Sequence, residues 1–249
     1  MDLRGKVALV TGGTMGIGAA IATELARLGA DIAIAARHLG SEARETQVAI
    51  EATGRRCLAI VADFLLPEDC QRAVRTTAED FGRLDVLIHN AGGPSWGKIE
   101  DITPQQWHDT LNLHVSANFY LVREALPYLR AQKEGCIVTV SSTAGIRGVP
   151  GAIAYATAKG ALPQFTRSLA RDLADDNIRV NCVAPGVIRT RFHADMTPER
   201  REFNLKHRIP LHREGTPEQV AQVVALLVTN DYITGETVVI DGGLTSRIA

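Results

Sequence analysis

Short runs of consecutive apolar residues alternate along the chain with longer segments whose apolar residues recur every three or four positions. The short runs predict seven strands, at Val7–Val10, Ile32–Ala35, Cys57–Val61, Val86–Ile88, Ile137–Val140, Ile178–Val183 and Val238–Ile240. The periodic segments predict helices in the gaps, notably at 16–28, 67–82, 104–130, 152–175 and 217–229. Three helix starts carry a proline and the first helix is followed by a glycine, namely Pro67, Pro104, Pro217 and Gly29.

Strands this short and uniformly apolar are typical of a sheet that is buried on both faces. Their alternation with helices implies right-handed crossovers between parallel strands. We therefore expect an α/β fold, a Rossmann-type doubly wound parallel sheet of about seven strands with helices on both faces. No repeat or linker interrupts residues 1–249, which predicts a single domain. Residues 186–215 are irregular and rich in Arg, His and Pro, and we expect them to form a substrate flap.

A glycine-rich segment follows the first strand and opens the first helix. Glycine permits a tight turn and a close approach of the backbone to a phosphate, and the helix N-terminus offers free N–H groups to an anion. The spacing is G-x-x-x-G-x-G, so a turn that binds nothing remains an alternative. The expected dinucleotide contacts are Gly12, Thr14, Met15, Gly16, Ile17 and Gly18.

Composition narrows the class of protein. The formal net charge is −1, with 45% hydrophobic and 22% charged residues, which disfavours nucleic-acid binding. No apolar run is long enough for a membrane span, and the N-terminal sequence lacks the pattern of a secretory signal. The four cysteines are widely spaced and form no Cys-x-x-Cys pair, so we expect no metal site; they are Cys57, Cys70, Cys136 and Cys182. Three of them lie in or beside apolar runs, which predicts buried thiols, and a cytoplasmic location fits this composition.

Tyr155 and Lys159 are one helical turn apart and share a helix face. A neighbouring ammonium is expected to lower the pKa of the tyrosine and so make it a better general acid or base. Ser142 follows an apolar strand, at the edge where open α/β sheets bind ligands, and its hydroxyl can hold a substrate oxygen. The alternatives are a surface Tyr–Lys pair with a routine serine, and Ser141 in place of Ser142.

Five motifs in this order resemble the short-chain dehydrogenase/reductases. They are Gly12-x-x-x-Gly16-x-Gly18, Asn90-Ala91-Gly92, Ser142, Tyr155-x-x-x-Lys159 and Pro185-Gly186. The resemblance spans about Gly5 to Gly243. It implies hydride transfer between a nicotinamide and a carbonyl or secondary alcohol, with Tyr155 as acid or base and Lys159 also contacting the nicotinamide ribose. A homotetramer is the family expectation.

The resemblance also implies further cofactor contacts. Asp63 and Phe64 resemble the contacts to adenine, and Asn90 and Gly92 those to the ribose. The segment that contains Pro185, Gly186, Ile188 and Thr190 resembles the one that binds the nicotinamide carboxamide in the family.

The family usually has an asparagine on the helix before the serine strand, which completes a proton relay to the lysine. Counting from Trp107 and Phe119, that position falls on His114. Asn112 points to roughly the opposite side of a regular helix, so it is no simple substitute unless the helix has a bulge. Either His114 shuttles protons, or it is a packed histidine and backbone groups hold the water.

The end of the second strand bears on the choice of cofactor. Relatives that prefer NAD usually have an acidic residue where Ala36 stands, to bind the ribose 2′-hydroxyl. Arg37 follows, and its guanidinium can bind a 2′-phosphate, to which His38 could also donate a hydrogen bond. We therefore expect NADP(H) in preference to NAD(H). If Arg37 is only a solvated cation, the two cofactors compete evenly.

The substrate is expected to be a small molecule that contacts Trp96, Arg147, Val149, Arg191 and Phe192. Solvated loop cations are the alternative for the arginines, but an inward guanidinium would favour a carboxylate or phosphate. Sugars, hydroxy acids, ketoacyl thioesters and steroid-like ketones all remain open. Rival functions are an NAD-dependent alcohol or sugar dehydrogenase, epimerisation or dehydration on the same fold, and a regulator that senses NADP without turnover.

Overall fold

The computed structural model describes residues 1–193 and 196–246 of the chain. In these residues seven strands form one fully parallel sheet in the order β3-β2-β1-β4-β5-β6-β7. The strands are β1 Val7–Thr11, β2 Asp31–Ala36, β3 Cys57–Val61, β4 Val86–His89, β5 Gly135–Val140, β6 Ile178–Pro185 and β7 Thr237–Ile240. The Rossmann-type doubly wound fold is therefore confirmed, and each predicted strand is present.

Eight α-helices are described. They are α1 Gly16–Arg27, α2 Ser41–Glu51, α3 Pro67–Phe81, α4 Pro104–Leu111, α5 Ala117–Ala131, α6 Ile153–Asp172, α7 Pro198–Phe203 and α8 Pro217–Thr229. Pro67, Pro104 and Pro217 each lie in the first turn of a helix, and Gly29 has a positive φ after α1, as the sequence predicted. None of these helices is both long and apolar enough to cross a membrane.

The apolar residues of the strands pack against helices on both faces of the sheet. In β1, Ala8 and Val10 pack with α1 and α8, whereas Val7 and Leu9 pack on the opposite face with α3 and α5. Side chains alternate between the two faces of a strand, so a run of apolar residues is what a sheet covered on both sides requires. The buried cysteines Cys70, Cys136 and Cys182 belong to this interior and are free thiols.

Two predicted segments differ from the structure. The continuous helix predicted at 104–130 is two helices, α4 and α5, joined by a π-helical turn at Asn112–Ser116. The flap at 186–215 was expected to be irregular, but it contains α7 and a π-helical turn at Asn204–Arg208. Residues 194–195 of the flap and 247–249 of the chain lie outside the described residues. Local periodicity did not reveal these breaks, because a π-turn retains helical spacing on both sides.

Strand order reverses beside β1, since β2 and β4 flank it while the chain passes from β1 to β2 and only later to β4. Open α/β sheets bind ligands at such a switch point, at the carboxyl ends of the strands. The glycine-rich segment after β1, the residues after β4 and the serine after β5 all lie at this edge. The fold therefore brings the separate sequence motifs into one region.

Candidate active site

The glycine-rich turn leaves no room for a side chain at Gly12, Gly13 or Gly18. A Cβ on Gly18 would lie 2.0 Å from the carbonyl oxygen of Gly12, and a Cβ on Gly12 would lie 2.9 Å from the Cα of Ala91. Gly12 and Gly16 also have positive φ angles, of 62° and 56°. The turn is therefore folded tightly against the start of α1 and the end of β4.

The N-terminus of α1 suits an anionic group. Its N-cap residue, Met15, makes no capping hydrogen bond through its side chain, and the first turn has no acidic residue. The uncapped N–H groups and the positive end of the helix dipole are the features that bind pyrophosphate in dinucleotide folds. Met15 is exposed, whereas Thr14 is buried and its carbonyl accepts a hydrogen bond from Thr46. Gly16 and Ile17 are half-buried at the helix start.

Asn90 fastens the glycine turn to β4. Its side-chain amide donates to the carbonyl oxygens of Thr11, at 3.3 Å, and Gly12, at 3.0 Å. The Thr11 hydroxyl accepts the backbone N–H groups of Asn90 and Ala91, both at 3.1 Å. Asn90 thus stabilises the conformation of the glycine turn, which is a structural role that the sequence did not indicate.

His89 was missed by the sequence analysis, although it immediately precedes the Asn90-Ala91-Gly92 segment. Its Nδ1 lies 2.9 Å from the Thr11 hydroxyl and its Nε2 lies 3.2 Å from the carbonyl oxygen of Leu113. A carbonyl oxygen only accepts, so Nε2 carries the proton and Nδ1 accepts from Thr11. Burial lowers the pKa of His89 to about 3, so the ring is neutral at pH 7. It links the glycine turn to the π-turn of Asn112–Ser116.

The ends of β2 and β3 carry the other predicted cofactor residues. Arg37 and His38 are both exposed immediately after β2. Asp63 follows β3 in a tight turn, in which its carboxylate accepts the N–H of Leu65 at 3.1 Å. Phe64 is buried and packs edge to face on His89, with ring centroids 6.1 Å apart. Phe64 is thus a core residue here, and Arg37 is a cation open to solvent beside the carboxyl edge of the sheet.

The predicted carboxamide segment adjoins the glycine turn. Gly186 approaches β7 so closely that a Cβ would lie 2.7 Å from Cβ of Asp241. Ile188 is buried in a parallel bridge to Gly215, and a Cβ on Gly16 would lie 3.3 Å from Cγ2 of Thr190. The segment that begins at Pro185 therefore lies next to the N-terminus of α1.

Ser142, Tyr155 and Lys159 converge at the carboxyl end of β5. The Ser142 hydroxyl accepts the N–H of Ala144 at 3.1 Å and forms a hydrogen bond with the Tyr155 phenol. The Lys159 ammonium donates to the carbonyl oxygen of Val140 at 2.6 Å and lies 5.8 Å from the centroid of the Tyr155 ring. All three predicted catalytic side chains therefore occupy one cluster.

Ser141 has a different role from Ser142. Its hydroxyl donates to the backbone carbonyl of Lys159 at 2.7 Å and is buried. Gly145 reinforces this contact, because a Cβ there would lie 2.5 Å from the carbonyl carbon of Lys159. Ser141 and Gly145 hold α6 against the end of β5, whereas Ser142 faces the tyrosine. The geometry therefore favours Ser142 over Ser141 as the serine of the site.

The pKa of Tyr155 differs from the value that the sequence led us to expect. The sequence predicted that Lys159 lowers the pKa of Tyr155, but burial raises that pKa to about 12, against the lowering effect of the Ser142 hydrogen bond. Burial also lowers the pKa of Lys159 to about 8. Desolvation penalises the charged form of both groups, and the ammonium points towards Val140 rather than the phenol oxygen. At pH 7 the cluster is therefore a neutral phenol beside an ammonium.

His114 lies against the reacting tyrosine. Its ring meets the Tyr155 ring edge to face, with centroids 5.5 Å apart and an interplanar angle of 86°. Its Nε2 donates to the carbonyl oxygen of Gly93 at 3.0 Å, and its buried Nδ1 has no hydrogen-bond partner among the described residues. Burial, and then the charge of Lys159, lower its pKa to about 2. The ring is therefore neutral at pH 7, with an unused acceptor.

The π-turn is a helix bulge of the kind that Asn112 would need in order to replace the family asparagine. Asn112 nevertheless lies outside the site. Asn112 is exposed and its side-chain oxygen accepts from Ser116 at 3.2 Å. His114 is buried and faces the tyrosine. His114, and not Asn112, is therefore the residue of this turn that contacts Tyr155.

Two of the predicted substrate residues surround Tyr155. The Trp96 ring lies 6.3 Å from the Tyr155 ring and 6.5 Å from the Phe192 ring, and Phe192 lies 5.8 Å from Tyr155. Trp96 is 55% exposed despite these contacts. Val149 is half-buried in the loop before α6. Trp96 and Phe192 thus form aromatic walls beside the Tyr155 ring.

The two arginines assigned to the substrate have other partners. Arg147 donates twice to the backbone carbonyl of Thr245, at 3.2 and 2.8 Å. Arg191 forms an ion pair with Glu42 at the start of α2. These contacts are distant in sequence, so no local pattern indicated them. The condition for an anionic substrate, an inward guanidinium, is not met by either side chain in this structure.

Comparison with known proteins agrees with this geometry. A family model described as "Enoyl-(Acyl carrier protein) reductase" matches residues 12–245. Dehydrogenase/reductase SDR family member 4 of Homo sapiens is 37% identical over 250 residues, which are 99% of this chain and 90% of that protein.

Two solved structures share the fold over nearly all of both chains. A short chain dehydrogenase from Burkholderia cenocepacia in complex with NADP has a TM-score of 0.92, 38% identity, and coverage of 98% of this chain and 100% of its own. L-Sorbose reductase from Gluconobacter frateurii, complexed with NADPH and L-sorbose, has a TM-score of 0.91, 30% identity and full coverage of both chains. With the ordered site described above, these matches show that the chain belongs to the short-chain dehydrogenase/reductase family of oxidoreductases.

Proposed function

We propose that the protein transfers a hydride between NADP(H) and a carbonyl or secondary alcohol, with Tyr155 as general acid or base. The observation that carries the proposal is the cluster of Ser142, Tyr155 and Lys159 at the sheet edge that also bears the glycine turn. A proton-transfer group therefore lies beside a surface suited to a dinucleotide.

The described residues fit a bound dinucleotide. The uncapped α1 N-terminus and the glycine positions that admit no Cβ form a cradle for the pyrophosphate. Arg37, exposed after β2, is the residue that would bind a 2′-phosphate, with His38 beside it in the sequence. The solved relatives that contain NADP or NADPH support this choice. An NAD-dependent enzyme is the alternative.

NADP(H), when bound, supplies or accepts the hydride. In the reductive direction the Tyr155 hydroxyl donates its proton to the substrate oxygen, so the carbonyl gains one hydride and one proton and becomes an alcohol. When the substrate is bound, Ser142 donates its hydroxyl hydrogen to the same oxygen instead of to the Tyr155 phenol, while its own oxygen keeps the N–H of Ala144. Lys159 has two N–H bonds beyond the one to Val140, and these would bind the nicotinamide ribose.

The protonation state of Tyr155 bears on how fast each direction of the reaction runs at a given pH. A pKa of about 12 keeps Tyr155 protonated at neutral pH, so it is ready to donate a proton and poorly suited to accept one. This supports reduction as the faster direction at neutral pH. Oxidation of an alcohol would require the phenolate and would therefore increase as the pH rises.

His114 completes the proposed site. Its Nδ1 is buried, unpaired among the described residues and next to Tyr155, so it can accept a hydrogen bond from a water molecule or from the ammonium of Lys159. Because the ring is neutral at pH 7, it acts as an acceptor that orients the proton path and carries no charge itself. We assign it the place of the usual family asparagine.

The remaining assignments are also proposals. We expect residues 1–249 to act as one unit, with 186–215 as the substrate flap, in a cytoplasmic homotetramer. Phe119 of α5 is exposed and is a candidate residue for the interface. Sedimentation that finds only a monomer would exclude the tetramer.

A substrate panel followed by NADPH absorbance tests the proposed function. We expect reduction of at least one ketone by the wild-type protein and its loss in Tyr155→Phe. Binding of NADPH without turnover of any ketone would favour the sensing regulator. Turnover of a hydroxylated substrate without a change in NADPH would favour epimerisation or dehydration.

A further inference from the structure

We propose that the substrate is a neutral, flat, apolar carbonyl compound, of the aryl ketone type, whose ring packs against Trp96 and Phe192. The inference rests on the proposed function, because it places the carbonyl group at Tyr155. It goes beyond that function in excluding carboxylates, phosphates and sugars as preferred substrates.

The aromatic walls are the first observation. Trp96 and Phe192 each contact the Tyr155 ring, at 6.3 and 5.8 Å between centroids, and they meet each other at 6.5 Å. These distances are those of tilted and edge-to-face aromatic pairs. A planar ring brought to the Tyr155 hydroxyl would extend the same type of contact.

The exposure of Trp96 is the second observation. More than half of this side chain, 55%, faces solvent although it adjoins a buried tyrosine. An exposed large apolar surface next to catalytic groups marks a place where a ligand is bound. Covering the indole with an apolar ligand removes that surface from water and so contributes favourably to binding.

The position of Trp96 is fixed by its own backbone. The next residue, Gly97, donates its N–H to the carbonyl oxygen of Gly151 at 2.9 Å and pairs with Ala152 in a parallel bridge. This bridge ties the loop of Trp96 to the residues that precede α6, the helix of Tyr155. The indole and the phenol therefore belong to one connected unit.

The cations provide the third observation. Arg147 donates both of its observed hydrogen bonds to Thr245, and Arg191 is paired with Glu42. Recruiting either guanidinium to an anion would break contacts that already satisfy it. An anion packed against Trp96 and Phe192 would lose part of its hydration, and neither guanidinium would lie beside it, which is costly. A sugar is neither planar nor aromatic, so it would gain less from contact with these rings than an aryl group does.

The test uses two compounds that share a skeleton but differ in charge, methyl benzoylformate and benzoylformate, together with L-sorbose and 2,3-butanedione. We expect the wild-type kcat/KM for the neutral ester to exceed that for the acid by roughly tenfold or more, and that for the sugar by more still. In Trp96→Ala, the ratio of kcat/KM for the ester to that for 2,3-butanedione should fall about tenfold, because the ring contact and its buried area are lost. The control is Tyr232→Ala, since Tyr232 is 97% exposed.

The outcomes separate this proposal from the function on which it rests. If benzoylformate or L-sorbose is reduced as well as the ester, in a reaction that Tyr155→Phe abolishes, the function holds and the substrate class is wrong. An unchanged ester-to-butanedione ratio in Trp96→Ala would also overturn the aromatic site, provided that the variant binds NADPH and melts as the wild type does. If no carbonyl compound is reduced at all, the proposed function fails and this inference fails with it.

Discussion

His114 and Tyr155 are in edge-to-face contact, with ring centroids 5.5 Å apart, and the π-turn at Asn112–Ser116 is the element that carries the histidine into the site. The Nδ1 of His114 is buried and has no partner among the described residues, while the other ring nitrogen is fixed on Gly93. A buried polar atom without a hydrogen bond costs free energy, so a partner is expected at Nδ1, and this underlies the proposed role of His114 in proton transfer.

His114→Ala should therefore lower kcat by about 100-fold, the lower end of what a positioned acid or base group contributes, with little change in KM. It should also alter the pH profile of kcat. His114→Asn should restore a large part of the rate, because an amide oxygen can accept the same hydrogen bond. Steady-state kinetics across pH would measure both, and an unchanged rate and profile in His114→Ala would exclude the histidine from the relay.

The residue pair Gly92 and Gly93 provides a matched test of how His114 is positioned. A Cβ on Gly92 would lie 2.4 Å from Cε1 of His114, whereas a Cβ on Gly93 meets nothing within 4 Å. Gly92→Ala should destabilise the protein by about 1–3 kcal/mol through overpacking and should lower kcat by displacing the ring. Gly93→Ala should change the free energy of unfolding by less than about 0.5 kcal/mol. Equal effects of the two substitutions in denaturant melts would contradict this packing account.

Arg37 is predicted to select the cofactor. Arg37→Leu removes charge-assisted hydrogen bonds to a 2′-phosphate, each worth about 1.5–3 kcal/mol, so KM for NADPH should increase at least about tenfold. KM for NADH should change less than about twofold. The control is Arg44→Leu, because Arg44 lies on α2 and faces Glu51 at 3.9 Å. A wild-type kcat/KM that is higher for NADH than for NADPH would refute the cofactor preference.

The two buried histidines predict a specific sensitivity to acid. Burial lowers the pKa values of His89 and His114 to about 3 and about 2, so below pH 6.5 the unfolded chain takes up protons that the native state does not. Stability should therefore fall as the pH decreases from 6.5, by about 2 kcal/mol per histidine at pH 5.

Denaturant melts at pH 7 and pH 5 measure this effect. His114→Asn should lose about 2 kcal/mol less between the two pH values than the wild type, since one uptake site is gone from the unfolded chain. The control is His108→Asn, because His108 is exposed on α4. A variant at His114 that loses as much stability as the wild type would show that the buried ring does not stay neutral.

The sequence predicted those parts of the site that depend on local pattern. The apolar runs predicted the strands, and the spacing of Tyr155 and Lys159 predicted that both lie on one helix face. The π-turn was raised only as a condition, because it keeps helical spacing on both sides, and the ion pair of Arg191 with Glu42 was not predicted, because the two residues are far apart in the chain. The pKa of Tyr155 was mispredicted for a related reason, since the depth of burial is a property of the folded site and not of the motif.

Tyr155→Phe tests the central claim most directly, because it removes the proton donor and keeps the ring that packs against His114 and Trp96. Single-turnover reduction of a ketone by bound NADPH should slow by about 10²–10⁴-fold, while the Kd for NADPH changes less than about threefold. A variant that binds NADPH normally and reduces the ketone at the wild-type rate would contradict the assignment of Tyr155 as the proton donor.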